Sequence, residues 1–190
     1  MTDMIFAIDP GDLQSAYCIV DAETYKPLEF GKVANAELRE ILSDKLKHAR
    51  TIHAIRDTDG KLRRTEFTVA IERIASYGMA VGATVFATCE WIGRFAEITE
   101  LNGFTPQYVY RKEEKLTICG DSRAKDANIR RALIDRFAQH DMKNGRGTKK
   151  NPDWFYGFHS DIWAAYSVAV THIEKIKEHE RKMQHGQAYF

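Results

Sequence analysis

The chain has 190 residues, 44% of them hydrophobic, which is the length of one domain and enough apolar mass for a real core. A formal net charge of +1 and that apolar content exclude a disordered polyelectrolyte. No apolar run reaches the length of a membrane span, because charged residues interrupt every candidate. The N-terminus shows no basic stretch followed by an apolar one, so no secretory signal is expected. The three cysteines, Cys18, Cys89 and Cys119, are far apart and form no CxxC pair, which points to free thiols in a reducing cytosol.

The chain opens on "MIFAID", an apolar run that ends on Asp9, followed by Pro10-Gly11 and a second run to residue 20. This predicts strands over 4–9 and 14–20 around a tight turn. Weak alternation over 26–35 predicts a third strand of the meander. Leu38, Ile41, Leu42 and Leu46 recur at helical spacing, with Asn35 placed to cap a helix over 35–49. An Asp-Gly pair between polar arms suggests a hairpin or excursion at 56–64. "EFTVAIERIAS" predicts a buried strand within 66–76 whose apolar part again ends on an acid, Glu72. A long apolar helix follows over 78–101, with small residues Gly82, Ala83, Ala87 and Gly93 that would let another backbone approach. A short strand at 105–111, an amphipathic helix at 122–139, a basic loop at 143–152 and a last helix from about 160 to 183 complete the chain. Three strands feeding strand–helix units predict an α/β fold with a mixed sheet, in a single domain spanning 1–190.

Charge is unevenly spread. Between Arg111 and Lys150 twelve Lys/Arg face six Asp/Glu, a local surplus of six positive charges on a nearly neutral chain. Such a region is either an electrostatic footprint for nucleic acid or a solvated surface. The candidate phosphate contacts are Arg123, Lys125, Arg130, Arg131, Arg146, Lys149 and Lys150. For Arg130 and Arg131 an ordinary solvated helix face is the competing account. Trp154, Phe155 and Tyr156, beside the basic loop, are candidates either for stacking on opened bases or for core packing.

Three acids occupy positions where chemistry is expected. Asp9 and Glu72 end strands that read as central to the sheet, and strand ends line the crevice of open α/β sheets. Asp161 stands at the start of an otherwise apolar helix, where the dipole also favours an acid. Alone, each is explained as a turn, surface or capping residue. Together they repel unless a cation joins them, and hard oxygen donors suit Mg²⁺ or Mn²⁺. Two such ions about 4 Å apart can clamp the attacking and leaving oxygens of a phosphodiester.

"AIDPG" with its returning strand, "VAIERI" before a Gly/Ala-rich helix, "RAKDANIRRAL" and "HSDIWAAYSVAVTH" occur in this order. Together they resemble the RuvC-type Holliday junction resolvases of the ribonuclease H-like superfamily, and their phage-borne branch in particular. The resemblance spans residues 4 to about 172. It implies a ribonuclease H-like fold with a five-stranded mixed sheet flanked by helices. It further implies a homodimeric, Mg²⁺-dependent endonuclease with two ions per site (Mn²⁺ substituting) that nicks opposed strands of a four-way DNA junction. By the same resemblance Asp9, Glu72 and Asp161 are metal ligands, Lys125 faces DNA phosphate, and the helix over 78–101 pairs the two protomers.

One departure stands out. The family places an acid or histidine three residues before its last-helix aspartate, and here that residue is Phe158. Taking Asp161 as the earlier member moves the gap to Ala164. His159 is the nearest substitute, either as a catalytic or metal-site residue or as an ordinary packing residue. Two alternatives remain open: a related nuclease acting on branched or flap DNA, and a catalytically weak protein that binds DNA structure. A duplicated actin-like phosphotransferase is excluded by length and by the lack of a second copy.

Overall fold

The computed structural model describes residues 3–52, 66–75, 78 and 81–184. Its elements are β1 Met4–Asp9, β2 Gln14–Asp21, β3 Pro27–Ala34, α1 Asn35–Ile52, β4 Phe67–Arg73, α2 Ala83–Leu101, β5 Gln107–Tyr110, α3 Arg111–Cys119, α4 Asp126–Phe137 and α5 Ile162–Gln184. The strands form one five-stranded sheet in the order β3-β2-β1-β4-β5. The meander β1–β2–β3 is antiparallel, whereas β4 and β5 join β1 in parallel. The sheet is therefore mixed, as expected. β1 is central, which explains its continuous apolar run: both faces are covered.

Alternation along the strands sorts side chains into two cores. Phe6, Ile8, Tyr17, Ile19, Val69 and Ile71 point to one face and pack against Leu38, Leu42 and Leu46 of α1 and Ile92 and Phe95 of α2. Ile5, Ala7, Ala16, Cys18, Val20, Ala70 and Val109 point to the other, beneath α4 and the apolar first half of α5. Small residues on that second face let α5 lie close over β1 and β2.

The structure departs from sequence expectation in four places. The apolar stretch predicted as a helix from 78 becomes helical only at Ala83, because Gly78 takes φ 81° and Gly82 is extended. The helix predicted over 122–139 is shorter, Asp126–Phe137. An unpredicted helix, α3, fills 111–119. Asp161 lies just before the first residue of α5 rather than within its first turn. The turn expected at 56–64 lies outside the described residues.

The turn after Asp9 is tightly specified. A Cβ on Gly11 would stand 2.2 Å from the Gln14 carbonyl oxygen, so only glycine fits. Asn35, at the first position of α1, uses its side chain to hold this turn rather than to cap the helix. Its Nδ2 donates to the Gly11 and Asp12 carbonyls at 3.0 and 3.1 Å, and its Oδ1 accepts from Ser15 Oγ at 2.6 Å. The backbone following Asp9 is thereby fixed from two elements.

Candidate active site

Strand register brings the first two acids together. β1 and β4 run parallel with Ile8 opposite Ile71, so Asp9 and Glu72 follow as neighbours at the strand ends. Both share parity with Ala7 and Ala70 and therefore point to the face covered by α5. Lys32 lies in the same cross-strand row, since it opposes Ala16, which opposes Asp9. Asp161 arrives from above. Ser160 takes the left-handed φ of 41°, rare for a residue with a side chain, and turns the chain into α5. The Asp161 carbonyl then accepts the Ala165 N–H at 3.0 Å, while its carboxylate accepts from Lys32 Nζ at 2.6 Å.

The cluster acts strongly on Asp9. Burial raises the Asp9 carboxyl well above its ordinary range, and the Glu72 charge, a hydrogen bond between the two carboxyls, and the charges of Asp161 and Glu114 add to it. Two acids set side by side on one sheet face favour a positive charge between them.

Glu114, on the unpredicted helix α3, belongs to this cluster. It is 0% exposed. Burial and the Glu72 charge push it up to about 8, against the opposing pull of Arg111 and Ser167. Arg111 Nη1 donates to its Oε2 at 2.6 Å, and Ser167 Oγ of α5 donates to the same oxygen. Its Oε1 is buried with no hydrogen-bond partner. Two sequence signals mark this helix. Glu113 accepts the Tyr110 N–H at 2.7 Å in the manner of a capping acid, and Gly120, at φ 68°, ends the helix.

His159 and Phe158 have different fates. Phe158 is 1% exposed and packs edge-on against Phe30, with ring centroids 4.6 Å apart, so it belongs to the core. His159 is exposed, and its carbonyl accepts the Ile162 N–H at 3.2 Å.

Among the described residues, no three His, Cys, Asp or Glu side chains stand in an arrangement that holds a metal ion. Asp161 is instead paired with Lys32, whose Nζ lies 2.6 Å from its Oδ2. The donor chemistry nevertheless fits a hard divalent cation. Asp9 and Glu72 repel each other on one sheet face, and the cluster contains a buried carboxylate oxygen without a partner.

Of the predicted phosphate contacts, Arg130 comes nearest to this cluster. It borders a cavity of about 90 Å³ with Arg111, Ser160, Asp161, Ala164 and Ser167, and its guanidinium lies 4.8 Å from the centroid of the Trp163 ring. Arg131 is committed elsewhere, to Asp135 and, at 2.7 Å, to the Met142 carbonyl. Arg123, Lys125, Arg146, Lys149 and Lys150 are exposed. Of the aromatic trio, Phe155 is fully buried, and Trp154 stacks on Phe137 while donating to Tyr166 Oη at 3.2 Å. Those two are core residues; Tyr156, 43% exposed, is the member a base could reach.

The mixed five-stranded sheet with its flanking helices defines a ribonuclease H-like fold of the RuvC kind. A structure of Thermus thermophilus RuvC superposes with a TM-score of 0.59 at 16% identity, covering 92% of this chain and 96% of that one. A structure of T. thermophilus RuvC in complex with a Holliday junction substrate gives 0.60 at 14% identity, covering 93% and 96%. No family model and no curated protein matches the chain by sequence.

Proposed function

We propose that the chain is a single-domain, Mg²⁺-dependent endonuclease that resolves four-way DNA junctions by paired symmetric nicks. The observation that carries this reading is the convergence of Asp9, Glu72 and Asp161 at the strand ends and last-helix start of a RuvC-like fold. The likeness to a RuvC structure that holds a Holliday junction supports branched DNA as the substrate class.

Asp9, Glu72 and Asp161 would hold the ions. Bound Mg²⁺ or Mn²⁺ supplies charge neutralisation at the phosphate and a water acidic enough to attack it. The carboxylates fix where that charge sits, and the tight turn at Gly11 keeps Asp9 in place. Arg130, beside Asp161, and the exposed basic residues hold backbone phosphates without reading sequence. Water oxygen replaces the 3′ oxygen on phosphorus, leaving a 5′ phosphate and a free 3′ hydroxyl that a ligase can rejoin.

Paired cuts need two sites related by a two-fold axis. α2 supports a dimer. Beyond the buried stripe that packs on the sheet, it leaves Phe86 60% and Leu101 69% exposed, and a Cβ at Gly82 or Gly93 would meet open space. Sedimentation at micromolar concentration is expected to give a dimer of about twice 21.8 kDa; a monomer would count against paired resolution.

The deciding experiment is incubation of the protein with a synthetic mobile four-way junction, flaps and forks in Mg²⁺. Symmetric, ligatable nicks in the junction, abolished by chelation, are expected. Cutting confined to flaps or forks would redirect the reading to a general branched-DNA nuclease. Tight junction binding with no cutting in Mg²⁺ or Mn²⁺ would favour a structure-binding protein, the reading that the Lys32–Asp161 pair speaks for.

A further inference from the structure

We infer that Glu114 is the fourth carboxylate of the metal site, so that α3 supplies the acid that α5 lacks. This rests on the nuclease reading above.

Three observations carry it. First, the chain path places Glu114 at the cluster. β5 is the parallel neighbour of β4, with Glu72 opposite Val109, and α3 starts at the residue after β5 ends. Its first turn therefore falls beside the strand end that carries Glu72. The Glu72 charge acts on Glu114, and the Glu114 charge reaches Asp9.

Second, Glu114 is held by one oxygen only. Arg111 and Ser167 both donate to Oε2, which fixes the carboxylate while Oε1, buried, has no donor at all. A buried polar atom without a partner costs stability, and a structural clamp would not need one. A carboxylate anchored through one oxygen and open at the other is built as a ligand.

Third, the cavity side of α5 carries no second acid beside Asp161. Asp161, just before α5, and Ala164 and Ser167 on it recur every three residues and border the same cavity of about 90 Å³. Ala164 carries only a methyl group there, and Phe158 on the approach is core. One turn further, Ser167 reaches across to orient Glu114 instead. On this side α5 therefore offers a positioning residue, Ser167, and no second acid.

The rival account is a buried acid that merely ties α3 to α5. Glu114→Gln separates the two, because the amide oxygen still accepts from Arg111 and Ser167 while the charge is gone. Mn²⁺ binding by the full chain without DNA is measured by calorimetry, alongside the melting temperature in chelator. Glu114→Gln should lower Mn²⁺ affinity at least about tenfold, with the metal-free melting temperature unchanged or raised. Ser167→Ala, which keeps the carboxylate but frees its orientation, should lower Mn²⁺ affinity about tenfold. Wild-type Mn²⁺ affinity in Glu114→Gln, or a Gln variant that melts much earlier or does not fold, overturns the inference in favour of the tie. So does unchanged Mn²⁺ affinity in Ser167→Ala. Asp9→Asn is the control. Loss of Mn²⁺ binding there with retention in Glu114→Gln sinks the role of Glu114 alone, whereas retention in both sinks the metal site itself.

Discussion

Asp9→Asn is expected to lower the rate of junction cutting by ~10³-fold or more, the scale of losing one preorganised electrostatic element from an active site. Junction affinity should be nearly unchanged, because the exposed basic residues are untouched. Asn keeps the size of the side chain and removes its charge, so the turn held by Gly11 and Asn35 should survive. The same substitution has a thermodynamic signature. The Asp9 carboxyl is raised by burial and by Glu72, so its contribution to stability is fully present below the ordinary aspartate value near ~3.9 and is lost as pH rises through the raised folded value. As pH rises without metal, the wild type therefore carries a growing penalty that Asn lacks. Asp9→Asn should melt at a higher temperature than wild type in chelator, and Mg²⁺ should close the gap by stabilising only the wild type. Cutting at wild-type rate by the variant would remove Asp9 from the chemistry.

Much of this was legible from residue order. Where a segment buries apolar side chains, its period shows: β1 and β4 as apolar runs between covered faces, α1 through Leu38, Leu42 and Leu46, α5 through its apolar first half. An acid closing such a run is conspicuous, which is why Asp9, Glu72 and Asp161 could be picked out. α3 carries no such pattern. Glu114 is its one fully buried residue, Leu116 is 47% exposed, and Ile118 and Cys119 reach the core only in part, so ion pairs supplement a weak apolar side. Among Arg111, Lys112, Glu113 and Lys115, Glu114 looked like part of a solvated charged stretch. Its burial depends on Ser167, some fifty residues away, and no local period encodes that contact. The start of α2 departs from its sequence pattern for a related reason. Apolar residues continue upstream of Ala83, but the backbone at Gly78 and Gly82 is not helical. Lys32 is not legible in the sequence, because only sheet register places it in the row of Asp9.

The second large effect concerns the basic loop, whose order depends on one acid. Asp153, with its side chain 0% exposed, accepts backbone N–H groups from Gln139, His140, Asp141 and Trp154 at 2.9, 2.9, 2.6 and 2.7 Å. Asp141 in turn accepts from Asn144, Arg146 and Gly147. Gly147 closes the loop at φ 64°, where a Cβ would stand 2.4 Å from the Asn151 carbonyl oxygen. Removing the Asp153 carboxylate leaves four N–H groups without their acceptor. Asp153→Ala should therefore cost about 3–5 kcal/mol, or on the order of 10 °C in melting temperature for a chain of this size. The pH dependence has a definite sign. Burial works against the Asp153 charge, but its backbone donors outweigh that and hold the carboxyl below its ordinary value. Its stabilisation is thus present above the unfolded aspartate value near ~3.9 and is lost as pH falls through the lower folded value. Wild type should lose stability on acidification below about pH 4, where that stabilisation fades. Asp153→Asn, already lacking the charge, should start lower and show a flatter acid limb. Melting curves from pH 2 to 7 test both. Since Arg146, Lys149 and Lys150 ride on this loop, the same variants should bind junction DNA more weakly, with a shallower dependence on salt. An acid limb in Asp153→Asn as steep as that of wild type would show that another carboxylate sets the acid stability.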